Sequence, residues 1–302
     1  MPIDISTVQA PSNEQDPAKS RIVDYYRDTE IDYDVWSREG YLHFGYWRMG
    51  LNPFSRRQML EEMNQVVFQK LKLDSLSQGS VADLGCGVGA ACRFGAQQYP
   101  HLRWLGLTIS PAQVAKGIRL IELQASARSG ITLAQGDYHH LPWPDRSVDR
   151  IFFLESLCHS RAPASVLCEA ARVLKPDGRL VVVDGYLQYP REKTPRYMRW
   201  IEQQVAANWA VPGFHCISNL EGWANSAGFE VIDQQEAGWR VAPSALHAPP
   251  LVAWHSLKLL FAGRATRWQR SHLVASFMAL VLGMQRSYFR YYLTTFHKRR
   301  TT

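Results

Sequence analysis

Between positions 81 and 90 the chain reads VADLGCGVGA, which joins an apolar lead-in, an acid at Asp83, glycines at 85, 87 and 89, and a helix-like run. This pattern describes a strand that turns sharply into a helix and leaves its backbone open to a ligand. Glycine has no Cβ to block close approach and tolerates dihedral angles that other residues avoid. The loop by itself does not choose its ligand, because several nucleotide cradles are built this way.

The surrounding pattern narrows the fold. Strand-like runs at 81–84, 102–108, 131–135, 150–154 and 178–184 alternate with helical stretches at about 88–98, 111–129 and 162–174. Ser110-Pro111 supplies a capping hydroxyl followed by proline at the first helical position. Such alternation predicts an α/β fold, a doubly wound and mostly parallel sheet with helices on both faces. Helices at about 194–210 and 218–227 then lead to a strand at 229–236, and two helical segments near 244–262 and 265–282 precede the alternating SYFRYYLTTFHK. The helices at 194–227 and 244–282 are expected to form a cap inserted before the final strand.

Upstream, residues 1–17 are polar, carry three prolines and are expected to be disordered. Residues 18–73 read as a helical lid, IVDYYRDTEIDYDVW, and a lead-in helix capped by Ser55 with Met59, Met63, Val66, Val67 and Leu71 at helical spacing. Residues 74–302 form the core with its cap.

With 302 residues and 46% apolar content, the chain can bury one substantial core plus a cap. Its five cysteines include no CxxC pair and no Cys/His cluster, so reduced thiols in a cytoplasmic protein and no zinc site are expected. No basic-then-apolar leader is visible, and the longest apolar run, 273–284, is too short to span a bilayer. A net charge of +7 favours anionic partners, but the basic residues are scattered apart from Lys298-Arg299-Arg300. Apolar helices at 251–284 with Lys258, Arg264, Arg267 and Arg270 are compatible with peripheral contact on an acidic bilayer. Homo-oligomerisation is left open.

The second strand ends in GLTISPAQV, where a dinucleotide fold would place an acid for the ribose; here the polar groups are Thr108, Ser110 and Gln113. In GDYHHLPWPD, Asp137 is placed to accept a hydrogen bond from an adenine amino group. VLKPDGRLVVVD then supplies a turn and a buried fifth strand.

With these four motifs in order, the chain resembles the class I S-adenosylmethionine-dependent methyltransferases over roughly 55–240. LHFGYW, GLTISPAQ and LESLCHSRAP are similar to the sterol, tocopherol and prenyl-substrate C-methyltransferase group. The resemblance implies a seven-stranded sheet with its last strand antiparallel, and S-adenosylhomocysteine as the product of the cofactor. It further implies that Asp83 and the backbone of Gly85, Cys86, Gly87 and Gly89 cradle the methionine part. Thr108, Ile109 and Gln113 would flank the ribose and adenine, Asp137 and Tyr138 the adenine edge, and Leu154 would complete the cofactor site. Thr108 stands where many relatives carry an acid.

On the acceptor side, the fourth strand ends in FFLESLCHS, which sets Glu155 and His159 beside the expected methyl group. A carboxylate there favours positive charge and a neutral imidazole can accept a proton. Tyr26 is a third catalytic candidate. Tyr25, His43 and Tyr46 are expected to line the substrate pocket under the lid, where aromatic faces stabilise cations. Trp200, with Trp209, Trp223, Trp239, Trp254 and Trp268, is expected to supply further walls.

The leading expectation is methyl transfer to an isoprenoid alkene carbon, on a prenyl diphosphate or a sterol-like side chain, through a carbocation that rearranges, cyclises or loses a proton. A diphosphate would call for basic contacts, with Arg161, Arg191, Lys193, Arg196, Arg199 and Arg240 available, and for Mg²⁺. The competing expectation is O- or ring C-methylation of a phenolic, prenylated quinone precursor. A membrane-surface binding module is a third reading, of a different class. The partner is a lipophilic small molecule and not nucleic acid, since no DPPY- or NPPY-type tetrapeptide follows the fourth strand.

Overall fold

The computed structural model describes residues 17–124, 130–261 and 267–299. Seven strands form one sheet: β1 (Gly79–Leu84), β2 (Leu102–Thr108), β3 (Ile131–Gln135), β4 (Val148–Leu154), β5 (Leu174–Leu187), β6 (Phe229–Glu236) and β7 (Phe289–Lys298), in the order β3-β2-β1-β4-β5-β7-β6. β1 to β5 pair in parallel, and β7 enters between β5 and β6, antiparallel to both. The seven-stranded sheet with its reversed last strand is thus the observed architecture.

The central strands read as continuous apolar runs because both faces are covered. Along β4, Ile151 and Phe153 enter one buried cluster with Ala82 and Leu180, while Phe152 and Leu154 enter another with Val81 and Val181. One residue of register slip would exchange the two sets. Strand order reverses between β1 and β4, which opens the crevice at their carboxyl ends where such folds take ligands.

The lid is two helices, α1 (Pro17–Asp28) and α2 (Glu30–Trp36), joined at buried Thr29, whose hydroxyl donates to the Tyr25 carbonyl at 2.7 Å. Ser55 caps α3 (Arg56–Lys70) as its position predicts. Around the sheet lie α4 (Ala90–Gln98), α5 (Pro111–Leu123), whose cap Ser110 accepts from the Gln113 N–H, and α6 (Pro163–Val173). The insertions are α7 (Arg196–Asn208) and α8 (Ile217–Ser226) before β6, then α9 (Gly238–Ala245), α10 (Ala248–Phe261) and α11 (Arg267–Met284) before β7. α9 was not expected; Pro243 lies inside it and Gly238 opens it, two residues that ordinarily punctuate a helix. β5 starts four residues early, because Leu174 already pairs with Val148 before an irregularity in the register.

Residues 1–16 lie outside the described residues, and Pro17 opens α1. The side chains of Lys258, Arg264, Arg267, Trp268 and Arg270 also lie outside them. Among the described residues, no helix is long and apolar enough to cross a membrane.

Candidate active site

The carboxyl ends of β1 to β4 enclose a cavity of about 410 Å³. Its walls include Asp83, Gly85, Cys86 and Gly87 after β1, Thr108, Ile109 and Gln113 after β2, Asp137 and Tyr138 after β3, and Leu154 and Glu155 at the end of β4. Gly85 has φ +92°, and a Cβ there would meet the Ser156 Cβ at 2.3 Å, so only glycine closes this turn. Gly89 is the exception among the expected cradle residues. It lies behind the cavity as the N-cap of α4, with its Cα facing Leu133.

The polar groups of this chamber are tied in ways that suit the expected cofactor. The Asp83 carboxyl is buried, and among the described residues its hydrogen-bond partner is the Cys92 thiol, at 3.9 Å from Oδ2; burial pushes it up to about 8. A buried acid with so little support calls for a cation, such as the ammonium of a methionine moiety. The Thr108 hydroxyl donates to Gln113 Oε1 at 2.6 Å, which makes one polar pair facing the cavity. Asp137 accepts from the His139 N–H at 2.9 Å and pairs with Lys19 of α1 at 2.8 Å. Burial alone would raise this carboxyl, but the His139 and Lys19 bonds hold it well below the usual range. A carboxylate has lone pairs left for an adenine amino group even so. These residues fit S-adenosylmethionine.

A second cavity of about 630 Å³ lies under the lid and the inserted helices. It is largely apolar, with Tyr25, Tyr33, Phe44, Val205, Trp209, Val241, Leu280, Phe289 and Tyr291 in its walls. Four residues belong to both cavities: Tyr26, Leu42, Glu155 and His159. They stand where the two chambers meet, the passage that a methyl group would cross.

Glu155 stands at this passage with φ +53°, a left-handed conformation rarely adopted by a glutamate. One of its oxygens, Oε1, accepts from the Phe44 N–H at 2.8 Å and from the Tyr291 hydroxyl at 2.6 Å. Burial pushes the carboxyl up to about 8, against these two hydrogen bonds. His159 holds its Nδ1 3.4 Å from the Ala210 carbonyl, which can only accept, so the proton sits on Nδ1. Nε2 then accepts from the Tyr26 hydroxyl at 3.0 Å. Burial lowers this imidazole to about 4, so it is neutral.

The remaining expected substrate residues divide. Tyr25 lines the acceptor chamber, its hydroxyl 3.0 Å from that of Tyr33. His43 faces the cofactor chamber instead, with Nδ1–H donating to the Phe44 carbonyl at 2.8 Å and Nε2 accepting from Asn64. Tyr46 is in the core, accepting from the Gln235 amide, and reaches neither chamber. Trp200 points outward on α7 and is 53% exposed, because Met198, Ile201 and Val205 take the inward face. Trp209 and Trp239 line the acceptor chamber, whereas Trp223 packs against the core and Trp254 is exposed. Tyr33 and Phe44, from the aromatic N-terminal segment, line the acceptor chamber, as do Tyr291 and Asp184, which no sequence motif marks as site residues. The alternation of the last strand signalled β7 but not which of its faces meets the chamber.

The basic residues reserved for a diphosphate do not gather. Arg161 lines the cofactor chamber, and Arg191, Lys193, Arg196, Arg199 and Arg240 line neither. The acceptor chamber has Arg286 and Arg290, and Arg286 is paired with Glu236. Among the described residues, no group of three or more His, Cys, Asp or Glu side chains could hold a metal ion.

A family model described as a methyltransferase domain matches residues 82–182. The chain is 30% identical over 236 residues to a 2-methyl-6-phytyl-1,4-hydroquinone methyltransferase of Synechocystis sp., covering 74% of this chain and 69% of that one. It is 24% identical over 174 residues to a sterol 24-C-methyltransferase of Eremothecium gossypii, 58% of this chain and 46% of that one. Its fold superposes on the cyclopropane synthase of Mycobacterium tuberculosis with a TM-score of 0.78 at 16% identity, covering 95% and 100% of the two chains. The chain therefore belongs to the class I S-adenosylmethionine-dependent methyltransferases and is an enzyme of that class. Within the class its relatives include sterol, tocopherol and prenyl-quinone methyltransferases.

Proposed function

We propose that the protein methylates a carbon of an isoprenoid alkene that carries no diphosphate, such as a sterol-like side chain, through a carbocation. The observation that carries this reading is the passage at Tyr26, Leu42, Glu155 and His159, where the Glu155 carboxyl faces a chamber lined mainly by apolar and aromatic side chains. When bound, S-adenosylmethionine supplies an electrophilic methyl group on a sulfonium. Asp83 and the backbone at Gly85 to Gly87 hold its amino-acid part, while Thr108, Ile109, Gln113, Asp137, Tyr138 and Leu154 hold the nucleoside. Attack by the acceptor π bond leaves a tertiary cation. Tyr25, Tyr26, Tyr33 and Phe44 line the chamber, where ring faces attract such a charge, and the low dielectric of the chamber strengthens its attraction to the ionised Glu155. Proton loss to the ionised form of Glu155 completes the reaction. His159 keeps Tyr26 in place, since its one basic nitrogen already accepts from that hydroxyl.

The competing acceptor is the ring of a prenylated hydroquinone, favoured by the name of the 30%-identical relative. Exposed Trp239, Leu246 and Met284 belong to the acceptor chamber's lining and support uptake of either acceptor from a lipid surface. Incubation with methyl-labelled cofactor and a Δ24 sterol, geranyl diphosphate or a prenylated hydroquinone separates the readings. Label on an alkene carbon of the sterol is expected; label only on a hydroxyl oxygen or only on the diphosphate overturns the proposal. Co-sedimentation with acidic vesicles checks the surface contact.

A further inference from the structure

Glu155 is reached by two donors from opposite ends of the chain. The Phe44 N–H comes from the loop after the lid and the Tyr291 hydroxyl from β7, and both end on the same oxygen, Oε1. Among the described residues no hydrogen bond reaches Oε2, although Glu155 forms part of both chamber walls. The backbone at Glu155 is held in its left-handed turn by its own N–H, which donates to the Val183 carbonyl on β5 at 2.8 Å. A strained residue anchored on one side and open on the other is a recurrent arrangement at reacting centres. Tyr291 is itself buried, and its ring belongs to the acceptor wall.

We propose that Tyr291 is a positioning residue for Glu155: its hydroxyl pins Oε1 so that Oε2 faces the acceptor as the proton-accepting atom. This rests on the carbocation reading above. In the step it serves, a C–H bond beside the cationic carbon breaks and its electron pair forms the new C=C bond. The proton passes to Oε2, and the carboxylate becomes a carboxylic acid. Tyr291 keeps its own proton throughout, because burial and the neighbouring Glu155 raise it well above a free phenol.

The donated hydrogen bond also favours the ionised carboxylate. Other groups around Glu155 push differently. Asp184 on β5 opposes its ionisation, and Cys158, Tyr26 and Tyr33 face it as uncharged groups because burial raises all three. His159 is neutral. Removing the Tyr291 hydroxyl therefore makes Glu155 harder to ionise.

The test compares the intact wild-type chain with Tyr291→Phe, Glu155→Gln and, as a control, Tyr292→Phe, whose hydroxyl donates to Gln188 away from the chambers at 3.0 Å. Infrared difference spectra against Glu155→Gln follow the carboxyl C=O band through a pH titration, with no acceptor needed. Tyr291→Phe is expected to move that titration upward by about one pH unit, the usual size of one lost hydrogen bond to a charged group. Tyr292→Phe should leave it in place. With the Δ24 sterol as acceptor, Tyr291→Phe should lower kcat about tenfold and shift the acidic limb of its pH profile upward, with S-adenosylhomocysteine affinity within about twofold. An unmoved carboxyl titration in Tyr291→Phe, or a kcat loss no greater than that of Tyr292→Phe, overturns the proposal. Full turnover in Glu155→Gln sinks the role of Glu155 itself, which is a different failure and one visible without Tyr291.

Discussion

The two chambers that meet at Glu155 are built in opposite ways. The cofactor chamber is made of short contiguous segments at the ends of adjacent parallel strands, and its key surfaces are backbone, glycine and a few buried polar groups. The acceptor chamber takes side chains from α1, α2, β5, α7, α9, α11 and β7, with apolar and aromatic groups dominating. The first constrains a ligand through fixed backbone geometry, so small changes should be costly and local. The second encloses a ligand by packing, where change should be graded and should fall on acceptor use alone.

The sharpest way to break this contrast is Gly85→Ala. The new methyl group must sit at φ +92° and meet Ser156, an expected loss of about 2–5 kcal/mol in stability. S-adenosylhomocysteine affinity should fall as well, about 100-fold where the displaced turn forfeits about 2.8 kcal/mol of contact with the ligand. Calorimetry on the folded fraction measures it. Near wild-type binding would mean that the turn is not part of the cradle.

Glu155→Gln probes the passage itself. The amide matches the shape of the carboxyl but offers no negative charge and no proton acceptor of comparable basicity. Turnover should drop by about 10²–10⁴-fold, while cofactor affinity stays within a few-fold. A parallel collapse of cofactor binding would erase the separation between the two chambers.

A third, smaller effect lies in the pH dependence of cofactor binding. The Asp83 carboxyl, raised to about 8, is protonated in the cofactor-free protein at pH 6. Pairing with an ammonium group requires it to ionise, so binding releases a proton and affinity should climb by up to roughly tenfold per pH unit until about pH 8. The same shift means that Asp83 favours the folded, cofactor-free chain fully below the ordinary carboxylate range, and that this support is lost as pH rises through about 8. Asp83→Asn should flatten the binding profile. A wild-type affinity independent of pH would remove Asp83 from the cofactor's charged end.

This division also explains what the sequence disclosed. Parallel strands place their carboxyl ends side by side, so once the alternation is recognised, a polar residue in the last positions of a strand or just past it has only one place to go. Asp83, Thr108, Asp137 and Glu155 were legible for that reason, as were the seven strands. The acceptor wall depends on which face of a helix or strand meets a neighbour, and that is decided by packing between distant segments. Tyr46 and Tyr291 are equally plausible tyrosines by composition. Tyr46 is enclosed with Met63 and Val67 in the core, while Tyr291 leans across β5 to Glu155. His43 lies within two positions of Leu42, Phe44 and Gly45, yet Asn64 of α3 and the Phe44 carbonyl turn it away from the acceptor.

The smallest expected effect separates two tryptophans nine positions apart. Trp200 lies on the outer face of α7, and Trp209 caps the helix with its ring against Phe44, 6.1 Å between centroids, inside the acceptor wall. Trp200→Ala removes an exposed ring and should change stability by no more than about 0.5 kcal/mol, with turnover unaltered. Trp209→Ala opens part of the apolar wall and should raise the acceptor KM about tenfold, the scale of losing about 1.5 kcal/mol of buried apolar contact. Cofactor affinity should be unchanged in both, because neither ring reaches the other chamber. Steady-state kinetics with the acceptor and cofactor varied in turn reads both effects. Equal KM values in the two variants would show that the second cavity is not where the acceptor lies, whatever its volume and lining suggest.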